Sequence, residues 1–108
     1  MSSTFEKRER AQEAKFAHDQ EMDFRVSARR DKLLGLWAAE LMNIKGGGAE
    51  AYARQIVLTD VDHPGDDDVF QRVKSDLATA KVEVSDHDLR RKMDGLLRLA
   101  REQMEAEA

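Results

Sequence analysis

Residues 28–42 read ARRDKLLGLWAAELM and contain the single tryptophan and the densest apolar run of the chain. At about 100° per residue, one side of a helix through this stretch and its neighbours collects six large apolar side chains. They are Met22, Val26, Leu33, Trp37, Leu41 and Ile44. So wide a stripe packs against several elements, which predicts the central helix of a small bundle. Gly35 costs about 1 kcal/mol relative to alanine inside a helix, so we expect it to serve a close approach of two helices.

The composition predicts one soluble, mostly helical domain. The chain has 108 residues with 18 basic and 22 acidic side chains, and its net charge of −4 argues against general nucleic-acid binding. It has no cysteine, no apolar run long enough to span a bilayer, and no apolar stretch after its charged N-terminus that would indicate a signal peptide. We therefore expect a cytoplasmic protein without direct membrane insertion.

Four helices are expected, because two glycine-containing turns and one short link interrupt the helical periodicity. The predicted helices span about 4–43, 49–60, 68–80 and 86–105. Ser85 with Asp88 fits an N-cap for the fourth helix, and the three aspartates at 66–68 are expected to cap the third. This arrangement predicts an all-α fold, a four-helix bundle with a long first helix.

The N-terminal segment differs from the rest because it carries few apolar side chains. Between Met1 and Met22, Phe5 and Phe16 are the only large apolar residues, about three turns apart on one helical face. We therefore expect a marginally ordered or projecting segment at 1–19 and a four-helix bundle body at 20–108. Two interpretations stay open on these residues alone: a solvated extension of the first helix, or a recognition segment that completes its helix on a partner.

The sequence predicts no catalytic, cofactor or metal site. Counted from Asp60, a calcium loop would need an oxygen ligand at its fifth position and glutamate at its twelfth, where Pro64 and Gln71 stand. The glycines at 46–48 lack the Lys-Ser/Thr of a phosphate-binding loop, and the three histidines show no ligand spacing. We therefore expect a protein that is not an enzyme.

A basic cluster, formed by Arg25, Arg29 and Arg30 with Lys32, stands where the N-terminal segment joins the body. Such a cluster is usually a solvated face or a set of internal ion pairs, and it could also be a docking patch for an acidic partner. An alternative function follows from it: a small nucleotide-binding helical sensor, or an adaptor, with the three arginines as the ligand or docking patch.

Several runs of the sequence resemble one protein family. They are FEKRERAQEAKFAHD at 5–19, ARR at 28–30, KLLGLWAA at 32–39, AYA at 51–53 and DVF at 68–70. In this order they resemble the ATPase inhibitor zeta-subunit family of alphaproteobacterial F-type ATP synthases. The chain departs from the family pattern at Asp31, where asparagine is usual, and at Val61, where an aromatic residue is commoner.

The resemblance implies a four-helix bundle whose N-terminal segment, about 2–19, blocks ATP hydrolysis. The implied partners are the catalytic αβ subunits, whose interface the segment would enter, and the rotating central stalk beside it. The protein would be a monomer when free and peripheral to the inner membrane when bound to the synthase. The partner-binding residues we expect from it are Phe5, Arg8, Arg10, Lys15 and Phe16. The two rings would fill apolar pockets and the basic groups would pair with acidic residues of the interface.

Overall fold

The computed structural model describes residues 3–63 and 65–107, and among these it gives side chains for Lys15 and from Ala17 onward. The described residues form four helices and no strand: α1 (Ser3–Leu41), α2 (Gly47–Asp62), α3 (Asp66–Thr79) and α4 (Asp86–Glu107). The predicted all-α fold with a long first helix is confirmed. Within the described part, none of the helices is both long and apolar enough to cross a membrane.

The first helix ends on a left-handed residue that is not glycine. Asn43 has a φ of 61°. The N–H of Asn43 donates to the carbonyl of Glu40 at 3.1 Å, and the N–H of Ile44 donates to that of Ala39 at 2.8 Å. These two bonds satisfy carbonyls that the helix end would otherwise leave unpaired. Asn43 therefore terminates α1, and the glycines at 46–48 lie in the turn that follows and at the start of α2.

The starts of the last two helices confirm one predicted cap and correct another. The hydroxyl of Ser85 accepts the N–H of Asp88 at 3.0 Å, which is the predicted N-cap of α4. The aspartates at 66–68 do not cap α3, because the N-cap residue is Gly65 and no side chain bonds to the helix start there. Two of these carboxylates instead accept hydrogen bonds from arginines of α1 and α4.

The core is built around a strip of α1 whose fully buried members recur every fourth residue. They are Val26, Arg30, Leu34 and Ala38. The predicted strip lies about one position away from the observed one, since Leu33 and Trp37 are half-buried and Leu41 is 40% exposed. The remaining core comes from the other helices, mainly Ile56 and Tyr52 of α2, and Phe70, Val73, Leu77, Leu89, Met93 and Leu96 of α3 and α4.

The position of the strip follows from a close contact between α1 and α2 at Gly35. A Cβ atom at Gly35 would stand 2.6 Å from the Cα of Ala53 and 3.3 Å from the Cγ1 of Ile56. The two backbones thus touch where the sequence predicted a close approach. Small side chains are needed on both sides of such a contact, so Leu33 and Trp37 lie at its edges and are only partly buried.

The molecule is elongated, with principal extents of 67 × 24 × 22 Å. The length comes from α1, because a helix of 39 residues spans roughly 58 Å at 1.5 Å per residue. The other three helices have 16, 14 and 22 residues and pack along the C-terminal half of α1. The first half of α1 therefore projects from the bundle.

Candidate functional site

The projecting part of α1 is the first candidate site. Its described side chains between Lys15 and Glu21 are all exposed, and the first fully buried one among the described side chains of α1 is Val26. The backbone is nevertheless helical from Ser3 onward. A helix without a packed face gains little from tertiary burial, so the described side chains of this part stay available to a partner.

The structure places the five predicted partner-binding residues on this segment, at different levels of detail. Lys15 is exposed to solvent. The backbones of Phe5, Arg8, Arg10 and Phe16 lie within α1, and their side chains lie outside the described residues. Their roles in binding therefore stay predictions.

Two ion pairs join α1 to the end of α4 and mark where the body begins. The Nη2 of Arg101 approaches the Oδ1 of Asp23 at 3.4 Å. Further along, both terminal nitrogens of Arg29 donate to the two carboxylate oxygens of Glu107, at 2.6 and 2.8 Å. The Arg29 hydrogen bond lowers the pKa of Glu107 below its ordinary value. These contacts hold α1 against α4 just after the projecting part.

The basic cluster predicted as a ligand or docking patch consists of three arginines that each pair with a carboxylate. Arg25 is exposed and pairs with Glu21 one turn earlier, at 2.8 Å. Arg29 pairs with Glu107 as described, and Arg30 is only 2% exposed. The arrangement corresponds to the internal ion-pair interpretation of the cluster, and a ligand-binding role for these arginines stays a prediction.

Arg30 lies at the centre of a buried polar network. Its Nε donates to the Oδ1 of Asp31 at 2.8 Å, and its Nη2 donates to the Oδ1 of Asp66 at 2.7 Å. The side chain of Asp31 is 0% exposed. Desolvation, reinforced by the nearby carboxyl of Asp60, raises the pKa of Asp31 to about 8, although the Arg30 guanidinium acts in the opposite direction. Asp31 is therefore mostly protonated at neutral pH.

The sequence analysis allowed internal ion pairs for the basic cluster but did not identify the buried position of Arg30 or its partners, although one signal for that position exists. Arg30 stands four residues after Val26 and four before Leu34, on the buried face of the same helix. A charged residue at a core position requires buried partners, and the pattern alone does not name them. One partner, Asp31, is the next residue, and the other, Asp66, begins α3, 36 residues away in sequence.

Comparison with known proteins places the chain in a family. The sequence model of the family described as ATPase inhibitor subunit zeta matches residues 1–103. A solved structure, described only as the solution NMR structure of a protein, is 37% identical in sequence and superposes with a TM-score of 0.70. The superposition covers 81% of this chain and 99% of the other. No curated protein sequence matches. The family match extends over α1 with its projecting part, α2, α3 and all but the last four residues of α4, and the chain therefore belongs to the ATPase inhibitor subunit zeta family.

Proposed function

We propose that this protein inhibits ATP hydrolysis by an F-type ATP synthase, and that residues 1–19 insert as a helix into a catalytic αβ interface near the rotating central stalk. Membership of the ATPase inhibitor subunit zeta family supports the inhibitory role. The observation that carries the mode of action is the shape of α1, a helix whose first half extends beyond the body, with exposed side chains at Lys15 and from Ala17 to Glu21.

The geometry of the segment suits insertion between two subunits. Its helix from Ser3 to Glu21 spans roughly 28 Å at 1.5 Å per residue, enough to reach deep into a subunit interface. Phe5 and Phe16 are eleven residues apart, which places them on one helical face at a separation of roughly 16 Å. Aromatic anchors of this kind commonly carry much of the affinity of an interface.

Electrostatics supports the same mode of binding. Between the two rings the segment carries Arg8, Arg10 and Lys15, and these cations would pair with acidic groups of the interface. Such an inhibitor acts by occupying space that the synthase must clear in order to turn, so it needs no catalytic group of its own. This agrees with the expectation that the protein is not an enzyme.

The contacts between α1 and α4 support separate roles for the N-terminal segment and the body. Burial of α1 from Val26 onward holds the helix in the body, and the ion pairs at Asp23 and Arg29 add contacts to α4 just after the segment. We therefore propose that residues 20–108 form an anchor, which presents residues 1–19, helical from Ser3 onward, to the partner. A helix that is held at one end loses less conformational entropy on binding than a free peptide does.

Site-directed photo-crosslinking tests the insertion directly. A benzoylphenylalanine at position 16 should form cross-links to both the α and β subunits of the catalytic head, and the same group at Leu58, exposed on α2 of the body, should not. Cross-links from Leu58 to that α and β pair, with none from position 16, would show that the body and not the segment enters the interface.

A further inference from the structure

A cavity of about 370 Å³ lies between α1, the end of α2 and the start of α3, outside the projecting segment. Its walls combine the carboxyl groups of Asp31, Asp60 and Asp66 with the apolar side chains of Phe24, Val57 and Val61. Its volume falls within the range typical of sites for small organic groups, about 300–1,000 Å³. Among the described residues no three acidic or imidazole groups are arranged to hold a metal ion, so the geometry does not fit a metal.

The charges around the cavity are unbalanced. Arg30 is the cation that pairs with Asp31 and with Asp66. The hydrogen bonds and ion pairs of the described side chains give Asp60 no cationic partner. Three carboxyl groups, contributed by α1, α2 and α3, thus share one guanidinium. A fourth, Asp23, also lines the cavity and is held by Arg101 of α4.

One atom in this wall lacks a partner. The Oδ1 of Asp31 accepts from Arg30, whereas its Oδ2 is buried and accepts from no donor among the described residues; the carboxyl group that neighbours Asp31 there is that of Asp60. A buried acceptor without a donor is costly, so it calls for a proton or a cation. In the free protein a proton meets this need, because the raised pKa of Asp31 keeps the carboxyl mostly protonated at neutral pH, beside Asp60.

We propose that this cavity receives the guanidinium of an arginine side chain from a partner protein, which takes the place of the proton on Asp31. The Oδ2 of Asp31 and the carboxylate of Asp60 are two acceptors on neighbouring helices, which suits the several donors of a planar guanidinium. Asp60 is partly exposed and Oδ2 is buried, so the guanidinium bonds first to Asp60 and reaches Asp31 only when the side chains that cover it move. Phe24 is 61% exposed and Val61 is 50% exposed, and both line the cavity, so they can cover the plane and the aliphatic stem of the arginine.

Binding of this kind is linked to pH. When the guanidinium enters, the Asp31 carboxyl releases its proton to solvent and the resulting carboxylate pairs with the new cation. Affinity should therefore rise with pH up to about 8, by up to about tenfold per unit, and then level off. Asp60 and Asp66 favour the incoming cation, and Arg30 opposes it.

The cavity stands beside the point where α1 leaves the body, since Asp23 and Phe24 belong to both places. An arginine bound here would hold the partner against the body next to residues 1–19. On the proposed function, and resting on it, this partner is a subunit of the ATP synthase head. The ligand chemistry of the cavity does not depend on that assignment.

Titration of the full chain, followed by NMR of its amides and carboxyl carbons, tests the inference. The probe is N-acetyl-arginine amide, with the neutral analogue N-acetyl-citrulline amide and the lysine analogue as comparisons. The arginine probe should cause saturable shifts at Asp31, Asp60 and Val61 and lower the pKa of Asp31. Equal responses to citrulline, equally tight binding of lysine, or no saturable response would overturn the proposal.

Matched variants make the test specific. Asp60→Asn should weaken binding of the arginine probe at least tenfold, and Asp94→Asn, on the exposed surface of α4, should leave it unchanged. If Asp60→Asn does not fold, Asp31→Asn carries the same test, because its amide oxygen can still accept from Arg30. Equal affinities in the two variants would overturn the proposal.

An inhibition assay separates the partner assignment from the function itself. Asp60→Asn should raise the concentration for half-inhibition of the catalytic head about tenfold relative to Asp94→Asn, without changing inhibition at saturation. If the unmodified chain inhibits and the two variants are equal, the cavity does not bind the synthase and the inference about the partner is wrong. If the unmodified chain does not inhibit, the proposed function fails, and the arginine titration alone decides the inference about the cavity.

Discussion

Replacement of Gly35 by alanine should destabilise the bundle, although alanine is the better helix former. The added Cβ would stand 2.6 Å from the Cα of Ala53 and 3.2 Å from its Cβ. Ordinary contacts between carbon atoms are about 3.5–4.0 Å, so α1 and α2 would have to separate by roughly 1 Å. The obstacle is a backbone atom, and no side-chain rotation can remove it.

Two effects of opposite sign determine the change in the free energy of unfolding. Overpacking a well-packed contact typically costs about 1–3 kcal/mol, and a clash with backbone belongs near the upper end. The gain in helix propensity from glycine to alanine is about 1 kcal/mol. The net loss should therefore be about 2 kcal/mol, which corresponds to a decrease in Tm of roughly 8–16 °C for a domain of this size.

Urea denaturation followed by circular dichroism and by the fluorescence of Trp37 measures this loss. Gly95→Ala is the matched control, because Gly95 also lies inside a helix and its nearest neighbour would be the end of the Arg98 side chain, 3.9 Å from the new Cβ. The control should be more stable than the parent by up to about 1 kcal/mol. An equal gain at Gly35 would refute the close contact between α1 and α2.

Three further predictions concern the buried carboxyl, a core hydroxyl and the projecting helix. The pKa of Asp31 is about 8 in the folded protein against an ordinary value of 3.8, so between these values the folded state binds one more proton than the unfolded state. The free energy of unfolding should therefore fall as pH rises from about 4 to about 8. Asp31→Asn should flatten this pH dependence in urea titrations, and an unchanged dependence would refute the raised pKa of Asp31. Tyr52→Phe removes the hydroxyl that donates to the Oδ2 of Asp76 at 2.7 Å and should cost about 0.5–1.5 kcal/mol by the same titration, with no loss if the bond contributes nothing. Ala11→Pro should reduce inhibition of ATP hydrolysis nearly as much as removal of the whole segment, because proline removes an N–H and clashes with the preceding turn; Ala11→Ser is its control, and equal inhibition by the two would show that the segment need not be helical.

The helices were predictable from the sequence because their signals are local. Regular apolar spacing in α4 and the Ser85 cap depend on residues within one or two turns of each other. The close helix contact at Gly35 was also predictable from local sequence, because glycine is unfavourable inside a helix unless a neighbouring element requires its small size. The predicted ends of the four helices lie within two residues of the ends in the structure.

The buried face of α1 was less predictable, because large side chains were given more weight than small ones. The close contact with α2 instead buries Leu34, Ala38 and Ala39 and leaves Trp37 at the edge of the core. Trp37 there lies under the ammonium of Lys92, 5.5 Å from the ring centre. Which of two adjacent faces is buried depends on the fit between helices, and periodicity does not contain that information.

Of the two candidate sites, one was predictable from local sequence and the other was not. The projecting segment could be located from its lack of apolar residues, a property of the segment alone. The network of Arg30, Asp31 and Asp66 joins helices distant in sequence, so the basic cluster could not be resolved into individual ion pairs beforehand. The partners of Arg30 are identifiable only from the structure, in which the end of α2 and the start of α3 lie against α1.

ATP hydrolysis by the isolated catalytic head, measured against inhibitor concentration, tests the proposed function most directly. The full chain is compared with a chain that begins at residue 20, and circular dichroism confirms that the shorter chain is folded. Every fully buried residue of the described chain lies at Val26 or beyond, so the shorter chain keeps its core. The full chain should inhibit and the folded shorter chain should not. Inhibition by the shorter chain at the same concentrations would mean that the body, and not residues 1–19, is the inhibitor.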